Sequence, residues 1–122
     1  MDLQGKVAIV TGGASGLGEA TADASVAKGM TVAIFDLNEE RAQAVIDRHG
    51  ADKTAFYAVN VADENSVKDA ISSVVTAHGA LHVVNNYAGF GNANRTFGRN
   101  GVFPLDNYMQ IVMVNQVGTF NV

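Results

Sequence analysis

The sequence predicts an α/β fold built on a doubly wound parallel sheet, with about four strands in the order 3-2-1-4 and flanking helices. Short apolar runs alternate along the chain with longer segments of helical periodicity, which is the pattern of βαβ units. The runs are rich in β-branched residues and do not alternate between apolar and polar, as expected of strands buried on both faces. Right-handed crossovers then place the first strand between the second and the fourth.

Four strands and four helices are expected in order. The predicted strands cover residues 7–11, 31–35, 54–59 and 81–85, and the predicted helices cover about 16–28, about 38–49, a segment capped by Asp63 that ends near 78, and 105–122. Residues 88–104 are predicted to be a long loop, which in a compact domain is usually functional or mobile. The last helix is apolar on nearly every side, which predicts burial all round and core positions for Met109 and Met113.

The composition indicates one folded domain over residues 1–122 and argues against several functions. Apolar residues make up 48% and charged residues 16% of the chain, as in globular domains. The net charge of −4 gives no reason to expect nucleic acid or an anionic membrane as a partner. The lack of cysteine excludes disulfides and thiol nucleophiles, and no apolar stretch suits a signal peptide or a membrane span. A cytoplasmic location without a metal site is therefore expected.

A glycine-rich turn joins the first predicted strand to the first predicted helix. Gly12 lets the strand turn tightly, Gly16 lets the backbone approach a pyrophosphate, and Gly18 lets the helix pack closely on the strand. The pyrophosphate would lie on the free N–H groups at the start of the helix. The alternative is an ordinary β–α turn, but a complete βαβ unit around the three glycines favours a dinucleotide site of the Rossmann type.

Asp36 follows the second predicted strand. A carboxylate at this position can accept hydrogen bonds from the adenosine ribose and would repel a 2′-phosphate. The next basic residue is Arg41, inside the following helix, so no cation beside Asp36 offsets the repulsion. These features predict NAD as the cofactor, while the alternative role for Asp36 is a cap for the helix over 38–49.

Two polar segments end the third and fourth predicted strands at the same crevice. The Asn60 amide can pair with an adenine edge, although an asparagine at a strand end is also a common turn residue. Asn86 can pin neighbouring strand ends, and the small Ala88 and Gly89 let the backbone pass close to the nicotinamide ribose. Spacing alone leaves an ordinary turn as the alternative here.

The histidines and the loop arginines are interpreted as structural. His49, His78 and His82 are not grouped at metal-ligand spacing, and two of them lie near helix ends, where positive charge is favourable. Arg95 and Arg99 can meet an anionic group of a substrate or cofactor, but solvated loop charges are the favoured interpretation.

These motifs together resemble the short-chain dehydrogenase/reductase family. Residues 11–18 resemble its Thr-Gly-x-x-x-Gly-x-Gly signature, Asp36 lies at its NAD-selecting position, and Asn60-Val61 stands where Asp-Val is usual. Residues 86–89 match its Asn-x-Ala-Gly element, and Asn115 matches its catalytic asparagine. The resemblance implies Asn115 as a catalytic residue and a cofactor site made of Gly12, Ser15, Gly16, Leu17, Gly18, Asp36, Leu37, Asn60, Val61, Asn86, Ala88 and Gly89.

A narrower resemblance lies in the stretch 95–122. Gly98 to Gly101, Pro104-Leu105 and the end of the chain are similar to the type II 3-hydroxyacyl-CoA dehydrogenases. Members of that group oxidise 3-hydroxyacyl-CoA and some hydroxysteroids with NAD. The resemblance therefore implies a small-molecule substrate, an acyl-CoA or another secondary alcohol.

The sequence departs from the family at its proton donor. The family's catalysis uses a serine and a Tyr-x-x-x-Lys pair, in which the tyrosine is the general acid/base. The residues four positions beyond Tyr57, Tyr87 and Tyr108 are Val61, Gly91 and Val112, and no lysine follows Lys68. We therefore expect the 122-residue chain to be inactive alone.

The chain thus resembles roughly the first half of such an enzyme, so its sheet is expected to be incomplete. An uncovered fourth strand and last helix would expose apolar surface, which favours either self-association, as in a homo-oligomer, or partial disorder. The alternative function is a catalytically silent, nucleotide-binding or self-assembling fragment. A methyltransferase or a flavin-binding protein is disfavoured, because neither is expected to carry the element at 86–89.

Overall fold

A computed structural model describes residues 2–122 and contains a parallel sheet of four strands in the order β3-β2-β1-β4. The elements are β1 Val7–Thr11, α1 Gly16–Ala27, β2 Thr31–Asp36, α2 Glu39–His49, β3 Thr54–Ala58, α3 Glu64–His78, β4 Val83–Asn86, β5 Phe97–Gly98, β6 Gly101–Val102, α4 Leu105–Val112, a π-helical turn Met113–Val117 and α5 Gly118–Asn121. The predicted fold class and strand order are confirmed.

The sheet separates two apolar cores. On one face, Val10 and Ile34 pack with Ala22 of α1 and Val45 of α2. A second cluster contains residues of the same strands, such as Ile9 and Phe35, together with Val67, Ala70 and Val74 of α3. Because successive strand residues point to opposite faces, β1 and β2 must be apolar at nearly every position. This explains why the two strands do not alternate in sequence.

Local capping sets the helix boundaries near those predicted. The Asp63 carboxylate accepts from the backbone N–H groups of Asn65 and Ser66, which confirms Asp63 as the cap of α3. Helix α2 is capped by Asn38, whose Oδ1 accepts from the Arg41 N–H at 2.9 Å. The cap interpretation of Asp36 is therefore wrong.

Two expectations about the C-terminal third are also wrong. The predicted loop contains the antiparallel hairpin β5–β6, in which Phe97 pairs with Val102. The predicted helix over 105–122 is present as a continuous helical stretch over 105–121 with a π-helical turn inside it, but its expected burial is wrong, because only Gly118 of it is buried.

The last helix is largely exposed because only one side of it meets the rest of the described chain. Val114 and Val122 pack against the second apolar cluster, the one that contains Val67, Ala70 and Val74 of α3. The Asn121 side chain donates to the Val61 carbonyl at 2.9 Å. Phe120 is 87% exposed, and Met109 and Met113 are also exposed. The assignment of these two methionines to the core is therefore wrong for the described residues. No helix within residues 2–122 has the length and apolar character needed to cross a membrane.

An ion-pair cluster links α1 to α2. Asp23 Oδ1 accepts from Arg48 Nη2 at 2.9 Å and lies 2.6 Å from His49 Nε2. Partial burial acts to raise the pKa of Asp23, but the hydrogen bonds from His49 and Arg48 outweigh it and hold that pKa below its ordinary value of 3.8. Deprotonated Asp23 thus stabilises the folded chain.

We expect Asp23→Asn to lower the free energy of unfolding at pH 6 by roughly 0.2–1 kcal/mol, as for other exposed pairs. A depressed folded-state pKa gives stability that is present above the unfolded pKa and lost as pH falls through the folded pKa. The difference between the variant and the wild type in the free energy of urea unfolding should therefore shrink as the pH is lowered below the ordinary value of 3.8. Asp69→Asn, on an exposed face of α3, is the matched control. A difference that persists unchanged at pH 3 would contradict the prediction.

Candidate functional site

The carboxyl ends of the four parallel strands open onto a cleft of about 560 Å³. The strand order reverses here, between β1 and β4, which is where doubly wound sheets bind ligands. The cleft is lined by Gly12, Ser15, Gly16, Leu17, Gly18, Phe35, Asp36, Leu37, Val59, Asn60, Val61, Tyr87, Ala88, Gly89, Phe90 and Val114. The structure therefore brings together every predicted cofactor-site residue except Asn86, which is exposed and does not line the cleft.

The glycine-rich turn makes close backbone contacts that side chains would prevent. Gly12 has a φ of +63°, and a Cβ on it would lie 3.0 Å from the Ala88 nitrogen. A Cβ on Gly18 would overlap the Gly12 carbonyl oxygen. Gly16 has a φ of +55° with open space around its Cβ position. The turn thus packs tightly on the protein side and stays open on the cleft side.

The first turn of α1 faces this opening. Ser15 is the N-cap, and within the described residues its side chain makes no capping hydrogen bond. The first N–H groups of a helix have no intrahelical partner and carry partial positive charge. The start of α1 therefore offers donors to an anionic group in the cleft.

Asp36 is held at the end of β2 by two backbone donors. Its Oδ2 accepts from the Ala14 N–H at 3.1 Å, and its Oδ1 accepts from the Asn38 N–H at 3.0 Å. A carboxylate has about four lone-pair sites, so both oxygens retain capacity for a ligand's hydroxyls. Within residues 2–122 no cation forms an ion pair with Asp36.

Thr11 connects β1 to the segment after β4. Its side-chain oxygen accepts from the N–H groups of Tyr87 and Ala88 at 3.0 and 2.9 Å, and Thr11 is only 1% exposed. Asn86 was expected to pin these strand ends, but the described hydrogen bonds assign that role to Thr11. The signal in the sequence was a threonine at the last position of an otherwise apolar strand.

Asn115 holds the next part of this loop from the opposite side. Its Oδ1 accepts from the Phe90 N–H at 3.0 Å, and its Nδ2 donates to the Phe90 carbonyl at 2.9 Å. Both polar ends of the amide are therefore engaged with one backbone unit. Asn115 lies in the π-helical turn, a distortion frequently found at functional sites.

Asn60 has the turn role that was weighed as its alternative. Its Oδ1 accepts from the Ala62 N–H at 3.1 Å, while the residue also lines the cleft. The sequence interpretation did not identify Phe35, Val59, Tyr87, Phe90 and Val114 as cleft residues. These are apolar neighbours of predicted polar positions, and only the fold brings them together.

Two of the three histidines, His49 and His82, have hydrogen-bond partners within the fold. His49 contacts Asp23, and His82 Nδ1 accepts from the Val7 N–H at 3.1 Å. Among the residues that the structure describes, no group of three or more histidine, aspartate or glutamate side chains is placed to hold a metal ion.

The fold and the cleft define a dinucleotide-binding class of α/β proteins, and comparison with known proteins identifies the family. Residues 6–122 match the family model of the short chain dehydrogenases. The chain belongs to this family, as its motifs indicated.

Similar proteins include several dehydrogenases. The chain is 36% identical over 119 residues to 2,5-dichloro-2,5-cyclohexadiene-1,4-diol dehydrogenase from Sphingobium indicum, covering 98% of this chain and 46% of the relative. It is 36% identical over 122 residues to 3-hydroxyacyl-CoA dehydrogenase type-2 from Drosophila melanogaster, covering 98% and 48% respectively. The chain thus spans about half the length of the curated relatives it matches.

A solved structure shares the fold closely. The 3-ketoacyl-(acyl-carrier-protein) reductase from Brucella melitensis, crystallised with NADH, superposes with a TM-score of 0.88 at 28% identity. The match covers 98% of this chain and 47% of the reductase chain.

Proposed function

We propose that the cleft binds NAD and that this chain is the NAD-binding portion of an oxidoreductase that oxidises a secondary alcohol. The observation that carries the proposal is Asp36, a carboxylate at the cleft that no cation of the described chain neutralises. It can accept the ribose hydroxyls of NAD and repels the 2′-phosphate of NADP. The NADH complex of the Brucella melitensis reductase supports a dinucleotide in this fold.

The shape of the glycine-rich turn fits the cofactor. Open space at Gly16 leaves room for a pyrophosphate at the start of α1. In this proposal, the cofactor is held by the sequence-predicted residues that line the cleft, without Asn86: Gly12, Ser15, Gly16, Leu17, Gly18, Asp36, Leu37, Asn60, Val61, Ala88 and Gly89. When bound, NAD supplies the hydride acceptor, while the chain binds and orients it.

Asn115 is the catalytic residue of the proposal, in the role that the family resemblance implies. Both ends of its side-chain amide form hydrogen bonds with the Phe90 backbone. The amide therefore also positions the loop that borders the cleft. The family's Tyr-x-x-x-Lys pair does not occur in these 122 residues. We therefore propose that the chain alone binds the cofactor without turning over a substrate.

The proposed substrate class is a 3-hydroxyacyl-CoA. The similarity of residues 95–122 to type II 3-hydroxyacyl-CoA dehydrogenases supports it, as does the relative of that name. We also propose that the protein forms a homo-oligomer and that it is located in the cytoplasm. The exposed apolar side chains of the last helix, including Tyr108, Met109 and Phe120, support self-association.

The test compares the binding of NADH and NADPH by calorimetry. We expect the wild-type chain to bind NADH at least about tenfold more tightly, since hydrogen bonds to a charged group contribute roughly 1.5–3 kcal/mol. Asp36→Asn keeps an acceptor but removes the charge, so the two affinities should become similar. Asp52→Asn, which removes a charge outside the cleft, should leave the preference unchanged.

Equal affinities of the wild type for the two cofactors would contradict the role of Asp36. In the same samples, adding a 3-hydroxyacyl-CoA to the NAD-loaded chain should give no NADH absorbance. A steady NADH signal would contradict the proposal that the chain does not turn over a substrate alone.

A further inference from the structure

The β5–β6 hairpin turns at the dipeptide Asn100-Gly101. Asn100 is the only asparagine of the chain that a glycine follows. Gly98 pairs with Gly101 across the hairpin, so Arg99 and Asn100 form the turn. Gly101 has a φ of +90°, a left-handed conformation that favours glycine. A Cβ on Gly101 would meet no atom within 4 Å, so the backbone at this dipeptide is open.

The Asn100 side chain can approach the Gly101 backbone. Both residues are exposed. The Asn115 and Asn121 amides donate to backbone carbonyls, whereas within residues 2–122 the Asn100 amide makes no side-chain hydrogen bond. The hairpin ladder has only two residue pairs, and short two-stranded ladders are marginally stable. Local opening of the turn therefore requires little free energy.

Two arginines surround the turn with positive charge. Arg95, Arg99 and Asn100 line one cavity of about 350 Å³, and no carboxylate lines it. The chain has no acidic side chain between Asp69 and Asp106, and within residues 2–122 neither arginine forms an ion pair. A positive potential of this kind favours a reaction in which negative charge develops nearby.

The reaction that these groups favour is an intramolecular deamidation. A base removes the Gly101 N–H proton and the nitrogen attacks the Asn100 Cγ, so negative charge develops on the Asn100 Oδ1. The N–Cγ bond forms, the Cγ–Nδ2 bond breaks and ammonia leaves, which gives a cyclic succinimide. Water then opens the ring at either carbonyl carbon and leaves a carboxylate on residue 100. Nothing is oxidised or reduced, and water is the co-reactant.

We propose that Asn100 is a site of spontaneous deamidation to aspartate and isoaspartate, accelerated by the positive charge of Arg95 and Arg99. The modification places a carboxylate in a cavity that has none and so lowers its positive charge. Opening of the ring at the backbone carbonyl gives isoaspartate, which adds a methylene to the main chain. This lengthens the turn and disturbs the register in which Phe97 pairs with Val102.

The test is incubation of the 122-residue chain at mildly alkaline pH, followed by peptic digestion at acid pH and mass spectrometry. Conversion of Asn100 raises the mass of its peptide by about one dalton and releases ammonia in equal amount. Asn92, an exposed asparagine of the same segment, is followed by alanine. We expect Asn100 to convert at least about tenfold faster, because glycine leaves the attacking nitrogen unobstructed. In Asn100→Gln, whose longer side chain needs a larger ring, the fast conversion should disappear.

The contribution of the arginines is tested in Arg95→Gln/Arg99→Gln. Its rate of conversion should fall about fourfold at low salt, since a unit charge roughly 8 Å away in water changes a rate about twofold. Arg95→Lys/Arg99→Lys keeps both charges and should convert at the rate of the wild type. High salt should remove the difference between the wild type and the glutamine variant.

Hydrogen exchange measures the effect on the hairpin. The Phe103 amide donates to the Thr96 carbonyl at 2.9 Å. It should lose protection in the incubated wild type and keep it in incubated Asn100→Gln. Conversion of Asn100 no faster than that of Asn92 would overturn the site. Equal rates in the wild type and the glutamine variant, or equal slowing by lysine, would overturn the role of the arginines.

Discussion

Gly18→Ala is expected to reduce the affinity for NADH roughly a hundredfold and to lower the free energy of unfolding by about 1–3 kcal/mol. Gly18 lies in a helix, where alanine normally stabilises the fold relative to glycine. A loss of stability in Gly18→Ala would therefore be opposite to the usual effect. Here the new Cβ would overlap the Gly12 carbonyl oxygen and approach the Gly13 Cα to 3.1 Å. Since the obstacle is backbone, α1 must move away from the turn that lines the cleft.

Calorimetry with NADH and urea unfolding measure the two effects. The matched control is Gly91→Ala, because a Cβ at Gly91 meets no atom within 4 Å and its φ is not positive. It should change neither quantity appreciably. A Gly18→Ala chain that binds NADH within threefold of the wild type would show that close packing of α1 on the turn is not required.

Thr11→Val is expected to lower the free energy of unfolding by roughly 1–3 kcal/mol, because the partly buried N–H groups of Tyr87 and Ala88 lose their acceptor. Valine has nearly the shape of threonine, so the change removes the oxygen that accepts from the Tyr87 and Ala88 N–H groups while keeping the packing. The loop beside the cleft then loses its link to β1. NADH affinity should fall as well, since Ala88 lines the cleft.

Thr11→Ser is the control for this variant, because it keeps the hydroxyl and loses only a methyl group. Its unfolding free energy should lie much closer to the wild type than that of Thr11→Val. Hydrogen exchange gives a local readout, in which the amide of Ala88 should lose protection in the valine variant alone. Equal destabilisation by the two variants would assign the effect to packing rather than to the hydrogen bonds.

The sequence predicted the parts of the fold that depend on local patterns. The strand–helix alternation, the Asp63 cap and the glycines of the first turn all act within a few residues. The strand order followed from the handedness of crossovers, which is nearly invariant. Asp36 was correctly placed at the cleft because carboxyl ends of parallel strands share one edge of the sheet.

The features that the sequence did not predict depend on contacts between distant residues. Thr11 meets Ala88 across 77 positions, and periodicity gives no information about such a pair. The last helix was expected to be buried because its residues are apolar, but burial also needs a partner surface. The described chain provides one only near Val114 and Val122. The hairpin was missed because its strands are two residues long.

The double hydrogen bond between Asn115 and Phe90 gives the chain a modular design. It joins two residues that are 25 positions apart in the sequence. The segment between them, which contains the hairpin and α4, is therefore a loop excursion whose two ends, its base, are held together. Changes in length or sequence within that excursion leave the base in place, and with it the wall of the cleft. Residues of the hairpin can therefore change while the side of the cleft that carries Gly16 and Asp36 keeps its geometry.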